Sequence, residues 1–169
     1  MAVYTEVSFE QARQFLEPLG LGQLQTMEGC KGGIENTNYF VTTNQGAYVL
    51  TLFERLTFEQ LPFYLRLMKH LAHSGIPVPD PAANRDGDIL HKLADKPAAV
   101  VNRLRGKSEL APSGEHCAAV ASTLANMHLA ARDFAMAQPN LRGLTWWNET
   151  GPVVVPFLEE PQAAMLRAE

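Results

Sequence analysis

Residues 36–54, NTNYFVTTNQGAYVLTLFE, constrain the fold more than any other stretch of the chain. Two runs of strand-forming residues flank Asn44-Gln45-Gly46, a short turn with a glycine to take a positive φ, so the pair reads as an antiparallel hairpin. In the second run, 47–54, Tyr48, Leu50 and Leu52 alternate with Val49, Thr51 and Phe53. Both faces are largely apolar, which places this strand in the middle of a sheet, covered on both sides. The period then changes. Thr57 opens a helix, with Gln60 completing the capping-box pattern, and Leu61, Tyr64, Leu65, Met68, Leu71 and Ala72 recur at helical spacing. Gly75 stops it, and Pro77 and Pro79 bar its continuation.

The flanks extend this pattern. Ser8 and Gln11 cap a first helix that Gly20 ends, and a strand follows at 23–29. Beyond the loop Asn84–Gly87, residues 88–93 and 97–104 read as two more strands. Residues 106–114 form a linker, and Ser113 caps a long helix with the apolar stripe Cys117, Val120, Ala121, Leu124, Met127, His128 and Ala131. The order is helix, three strands, helix, two strands, linker, helix. That predicts an α+β architecture: a five-stranded antiparallel sheet lobe with one inserted helix over 1–105, then the start of a helical lobe over 106–169. Pro161 opens a further helix in PQAAMLRAE, but the pattern stops after little more than two turns without a stop signal. The expectation is a chain cut in mid-element, with more protein following in its parent.

Composition excludes several classes. The chain has 169 residues, 46% apolar and 19% charged. That is globular, and a chain of this length buries roughly 68–70% of its unfolded surface without a disulfide or metal. The net charge of −4 argues against a nucleic-acid partner, since phosphate backbones call for a basic patch. No apolar run approaches a membrane span. MAVYTEVSFEQ has neither a basic leader nor an apolar signal core, so the expected location is cytoplasmic. Cys30 and Cys117 match no paired motif and read as buried free thiols. Asn148-Glu149-Thr150 is a glycosylation sequon by spelling only.

Two stretches can carry binding chemistry. Gly32 and Gly33 have no Cβ and allow close approach of a ligand, and Asn36, Thr37 and Asn38 offer neutral donors, so the loop can lay backbone N–H groups against phosphate oxygens. The pattern is neither G-x-G-x-x-G nor a Walker loop, and taken alone such glycines are plain turn residues. The second stretch is PAAVVNRLRG, an apolar strand running into a linker, where backbone groups at a cleft can pair with a flat base; taken alone it is a buried strand and a loop. His70 and His73 lie three apart on a helix but have no third ligand, and read as a solvated face. His128 on the third helix's stripe reads as a hydrogen-bonded core histidine. Trp146-Trp147 reads as one core and one half-exposed tryptophan. Asp80, Asp86, Asp88 and Asp95 cluster in loops without EF-hand spacing, and no Ser–His–Asp arrangement or general base stands out.

Read in order, GIENTNYFVTT, YVLTLFE, LPFYLRLMKHLAHSGIPVP, PAAVVNRLRGKS, LANMHLA and PNLRGLTWW resemble the protein-kinase-like fold in its aminoglycoside phosphotransferase and choline kinase branch. Within that branch the resemblance is to the bacterial homoserine kinase family, here its amino-terminal part, and it runs over nearly the whole chain. The resemblance implies phosphoryl transfer from ATP, with Mg²⁺, to the hydroxyl of L-homoserine, giving O-phospho-L-homoserine on the route to threonine. It implies Gly32, Gly33, Glu35, Asn36, Thr37 and Asn38 over the phosphates, and Val101, Asn102, Arg103 and Leu104 at the adenine edge.

Two departures accompany it. Thr51 aligns with the strand lysine that holds phosphates in kinase folds, and Tyr64 with the helix glutamate that pairs with that lysine; the nearest glutamate is Glu59. The catalytic loop pattern His-x-Asp-x-x-x-x-Asn does not occur in residues 1–169, so catalytic residues and Mg²⁺ ligands are expected outside them. Alternative readings are a related kinase of a small alcohol of the choline or aminoglycoside type, and a non-catalytic nucleotide-binding module of the same fold.

Overall fold

The computed structural model describes residues 4–168. Met1–Val3, the start of the MAVYTEVSFEQ stretch, and Glu169, the end of PQAAMLRAE, lie outside the described residues. The chain forms two compact units, Met1–Ala135 and Met136–Glu169.

The first unit opens with helix α1 (Phe9–Leu16). Ser8 accepts from the Gln11 amide while the Gln11 side chain accepts from Ser8, the predicted capping box. Strands β1 (Leu24–Gly29), β2 (Asn36–Thr43), β3 (Ala47–Phe53), β4 (His91–Leu93) and β5 (Lys96–Asn102) form one sheet in the order β1-β2-β3-β5-β4, every pair antiparallel. β3 is central, as expected, but it is not covered on both sides: Val49 and Thr51, on its second face, stay half-buried. One face carries Tyr39, Val41, Leu50, Leu52, Ala98 and Val100, buried against Val7, Ala12, Leu16 and Leu19 of the amino-terminal segment. On the other face helix α2 (Leu61–His73) covers only part of the sheet, where Leu65 and Ile89 pack with Ala99 and Phe53.

Several expectations need correction. The β2–β3 turn does not use a positive φ at Gly46. The Thr43 hydroxyl holds it by accepting from the Gln45 and Gly46 amides, and Gly46 is small because a Cβ there would lie 3.1 Å from the Tyr48 hydroxyl. The Gln60 side chain does reach back to the Thr57 amide, but regular helix begins only at Leu61, where Pro62 occupies the first turn. The strand expected over 88–93 shortens to β4, because Asn84 draws the amides of Asp86 and Asp88 into its own turn. His70 is not on a solvated face: its Nε2 lies 2.7 Å from the Ala130 carbonyl and 3.2 Å from Asp133. His73 is exposed.

Helix α3 (Gly114–Ala130) begins at Ser113 as predicted but contains no buried residue. Cys117 and His128, both expected in a core, are exposed. Periodicity defines a stripe, and burial needs a second element against it. The second unit holds α4 (Leu144–Val154) and α5 (Glu160–Ala168). α4 escaped the sequence reading because Gly151-Pro152 spells a helix breaker, whereas Pro152 here sits in the helix's last turn.

Candidate functional site

The part of the sheet that α2 leaves uncovered carries two rows of side chains. Strand register sets them, since paired residues on antiparallel strands share a face. The first row is Glu28, Phe40, Val49 and Val101. The second is Asn38 and Thr51, continued on β1 by Cys30, whose amide donates to the Asn38 carbonyl at 2.8 Å, and it ends at Ala99, which is buried against Leu65 of α2. Phe40, Val49, Val101, Asn38 and Thr51 are all half-buried. Apart from the exposed Glu28 at its β1 end, one row is therefore an aromatic and aliphatic platform, and the other is small and neutral.

The polar row is internally ordered. The Thr51 hydroxyl donates to Asn38 Oδ1 at 2.7 Å, and Asn38 Nδ2 reaches the Asn36 carbonyl at 3.4 Å. The platform carries a cation: the Arg103 guanidinium lies 4.0 Å from the centre of the Phe40 ring, an attractive cation–π contact. Burial pushes the Cys30 thiol above its ordinary pKa, and the nearby Arg103 charge only partly offsets it. That environment favours the neutral thiol over the thiolate.

The predicted loop residues lie between β1 and β2. Gly33 has φ +115°, a conformation that requires glycine. A Cβ on the exposed Gly32 would meet no atom of the protein within 4 Å, so packing does not explain the glycine there. Ile34 is 83% exposed at the loop tip, and Glu35 is half-buried beside it. Asn38 faces the uncovered side, and Asn36 lies on the same face one row further, paired with Phe53.

Thr37 does not join them. Its side chain points to the α1 face and is fully buried. Its hydroxyl accepts from the Tyr4 and Thr5 amides at 2.9 and 3.0 Å and donates to Glu54 Oε1 at 2.7 Å. Burial alone would raise the Glu54 pKa, but hydrogen bonds from Thr37 and Thr5 and the ion pair with Lys96 outweigh it and hold the carboxyl below its ordinary value. Alternation along a strand places neighbours on opposite faces, so Thr37 anchors the amino-terminal segment while Asn38 serves the open side.

At the far edge, Val101 sits in the platform row, but much of the following backbone is committed. The Arg103 amide donates to Ala47 and the Asn102 amide to Asp80, while the Asn102 side chain accepts from the Asp80 amide at 2.6 Å. Lys69 on α2 holds the same corner through Asp80 at 2.9 Å and the Pro81 carbonyl at 2.9 Å. Asn102 therefore braces the edge, and Leu104, 44% exposed, is the first predicted edge residue beyond this bonding.

Glu28, Phe40 and Val49 were missed by the sequence reading. The signal was available: Phe40 lies two residues from Asn38, and Val49 two from Thr51, which puts them on the same faces. For a metal, the described residues contain no group of three His, Cys, Asp or Glu side chains placed to hold an ion. Mg²⁺ takes oxygen ligands, carboxylates first, and the neutral row does not fit it. No described helix is long and apolar enough to cross a membrane. In the second unit, Trp146 and Trp147 stack edge to face at 5.3 Å, with Trp147 56% exposed at an open apolar groove between α4 and α5.

A family model described as the phosphotransferase enzyme family matches residues 26–169. Over its full length the chain is 67% identical to the homoserine kinase of Polaromonas naphthalenivorans, covering 54% of that protein. It is 52% identical to the homoserine kinase of Burkholderia multivorans, covering 51% of it. The chain thus spans about half the length of the curated relatives it matches. A spectinomycin phosphotransferase solved in complex with ADP and spectinomycin superposes with a TM-score of 0.68 at 13% identity, over 92% of this chain and 48% of that one. That likeness establishes the fold as protein-kinase-like.

Proposed function

The chain belongs to the phosphotransferase enzyme family, and from that premise we propose that it is the nucleotide-binding part of an ATP-dependent kinase whose acceptor is L-homoserine. On this reading 1–105 is the nucleotide-binding sheet lobe and 106–169 the linker and first helices of a helical lobe. The observation that carries the reading is the two-row face. A flat base needs an apolar platform, and Phe40, Val49 and Val101 supply one, with the chain from Val101 to Leu104 at its edge. A phosphate chain needs close-approaching donors, and the Gly32–Asn38 segment lies at the neighbouring end of the face.

What these residues contribute is placement. Phosphoryl transfer draws on positioning and charge compensation more than on covalent help from the protein. The platform fixes the base, the loop screens the phosphates from water, and Arg103 adds a positive charge on a chain that is otherwise net acidic. Mg²⁺ and the residues that activate the acceptor hydroxyl are, on this reading, supplied from outside residues 1–169. The relatives' name favours homoserine over choline or an aminoglycoside as acceptor.

Two measurements test it. ATP titrated against the chain should bind, and Phe40→Ala should weaken binding about ten- to a hundredfold, the range of one base–aromatic stack; unchanged affinity would move the nucleotide elsewhere. Coupled ADP release should show no turnover of homoserine by the chain alone. The intact gene product should prefer homoserine to choline and aminoglycosides, and a reversed preference would assign the acceptor to the related kinases instead.

A further inference from the structure

The polar row holds a neutral pair at the spot on β3 where a bound phosphate chain would favour a cation. An asparagine carboxamide presents a donor end and an acceptor end that are nearly equal in shape. Left to itself it turns its acceptor oxygen outward as readily as its nitrogen, and an oxygen facing a phosphate repels it. In this structure the choice is made. The Thr51 hydroxyl spends its proton on Asn38 Oδ1 at 2.7 Å, which occupies the acceptor end. One Nδ2 hydrogen reaches back to the Asn36 carbonyl at a long 3.4 Å. Among the described residues the second has no protein acceptor. Ala99, across β3 from Thr51, is too small to compete for either group.

We propose that Thr51 is a positioning residue that locks the Asn38 carboxamide with its nitrogen outward, so that Asn38 Nδ2 donates to a phosphate oxygen of the bound nucleotide. The inference rests on the nucleotide reading above and deepens it. It assigns phosphate recognition on this face to an oriented dipole instead of a point charge. A hydroxyl is required at position 51, and its methyl group is not. Valine keeps the shape and loses the proton; serine keeps the proton and loses the methyl.

The test compares ATP, ADP and adenosine titrated against the full chain and its Thr51→Val, Thr51→Ser and Asn38→Ala variants, with amide spectra confirming that each is folded. Expected is a loss of about tenfold in ATP and ADP affinity for Thr51→Val, the scale of one hydrogen bond. Adenosine affinity should not change, and Thr51→Ser should stay near the parent. Asn38→Ala should show the same phosphate-selective loss. Without any ligand, the two side-chain amide protons of Asn38 should shift in Thr51→Val and not in Thr51→Ser. The inference is overturned if Thr51→Val binds ATP as the parent does, if ATP and adenosine weaken together, or if the Asn38 amide signals ignore the substitution. A parent chain that binds ATP at a place insensitive to Phe40→Ala, or not at all, instead defeats the nucleotide reading and this inference with it. Should Thr51→Val fail to fold, Thr51→Ser and Asn38→Ala decide: a phosphate-selective loss in the second alone upholds the inference, and any other pattern overturns it.

Discussion

β3 with β5, and helix α3, are both rich in apolar residues and meet opposite fates. Leu50, Leu52, Ala98 and Val100 are sealed at the middle of the sheet, with no measurable exposure. On α3, Val120 and Leu129 stay 67% and 60% exposed, and no residue of the helix is buried. The sheet lobe has partners for its apolar side within about a hundred residues of chain, since α1, β2 and β5 all close on the same core. On α3, none of the described apolar stripe is buried. An amphipathic pattern is a request for a partner, and the energy comes only when the partner is present.

The most direct way to break this contrast is Leu52→Ala. A fully buried leucine cut to alanine costs about 2–5 kcal/mol, so the urea unfolding midpoint should fall sharply. A small effect would mean the sheet centre is not the stability core. Next comes Thr37→Val, which keeps the volume but leaves the Tyr4 and Thr5 amides and the Glu54 carboxylate short of a partner. The expected loss is about 1–3 kcal/mol, with faster hydrogen exchange at Tyr4 and Thr5. A neutral result would make the amino-terminal tether decorative.

Acid should act through the same corner. The Glu54 carboxyl is lower in the folded protein than in the unfolded chain. Its contribution is therefore fully present above the ordinary carboxylate value of about 4.3 and is lost as the pH falls through its lowered folded value. Burial lowers the His91 pKa as well, so its neutral form is favoured in the fold and stability also erodes as the pH drops below about 6.5. Denaturant midpoints of the parent should decline on both steps, and Glu54→Gln should flatten the more acidic one. A parallel decline in Glu54→Gln would remove Glu54 from the account. The smallest effect is expected on the other side of the comparison: Leu124→Gln, on α3, should alter stability by no more than about 0.5 kcal/mol. A cost like that of Leu52→Ala would mean α3 is packed after all.

Much of this was readable from residues alone, though unevenly. The Ser8 and Gln11 cap and the period switch after Glu54 are local chemistry, and the structure follows them. The candidate site was half readable. Gly32 and Gly33 marked the loop, though the positive φ at Gly33 is seen only in the structure, and alternation separates Thr37 from Asn38. Which of the two turns inward depends on where α1 packs, and that contact spans more than thirty residues of sequence. Gly46 misled because a glycine in a turn has two explanations, backbone conformation and crowding, and only the position of the Tyr48 ring distinguishes them.

The amino-acid order by itself determined the strand and helix periods, the caps and the family resemblance, because each depends on neighbours within a few residues. Tertiary structure decided the rest. It joined Phe40, Val49 and Val101 into one platform, turned Thr37 to the α1 face, set Arg103 over Phe40 and left α3 without a buried residue. Those outcomes are pairings between distant strands and helices, and register and packing fix them only when all the partners are in place.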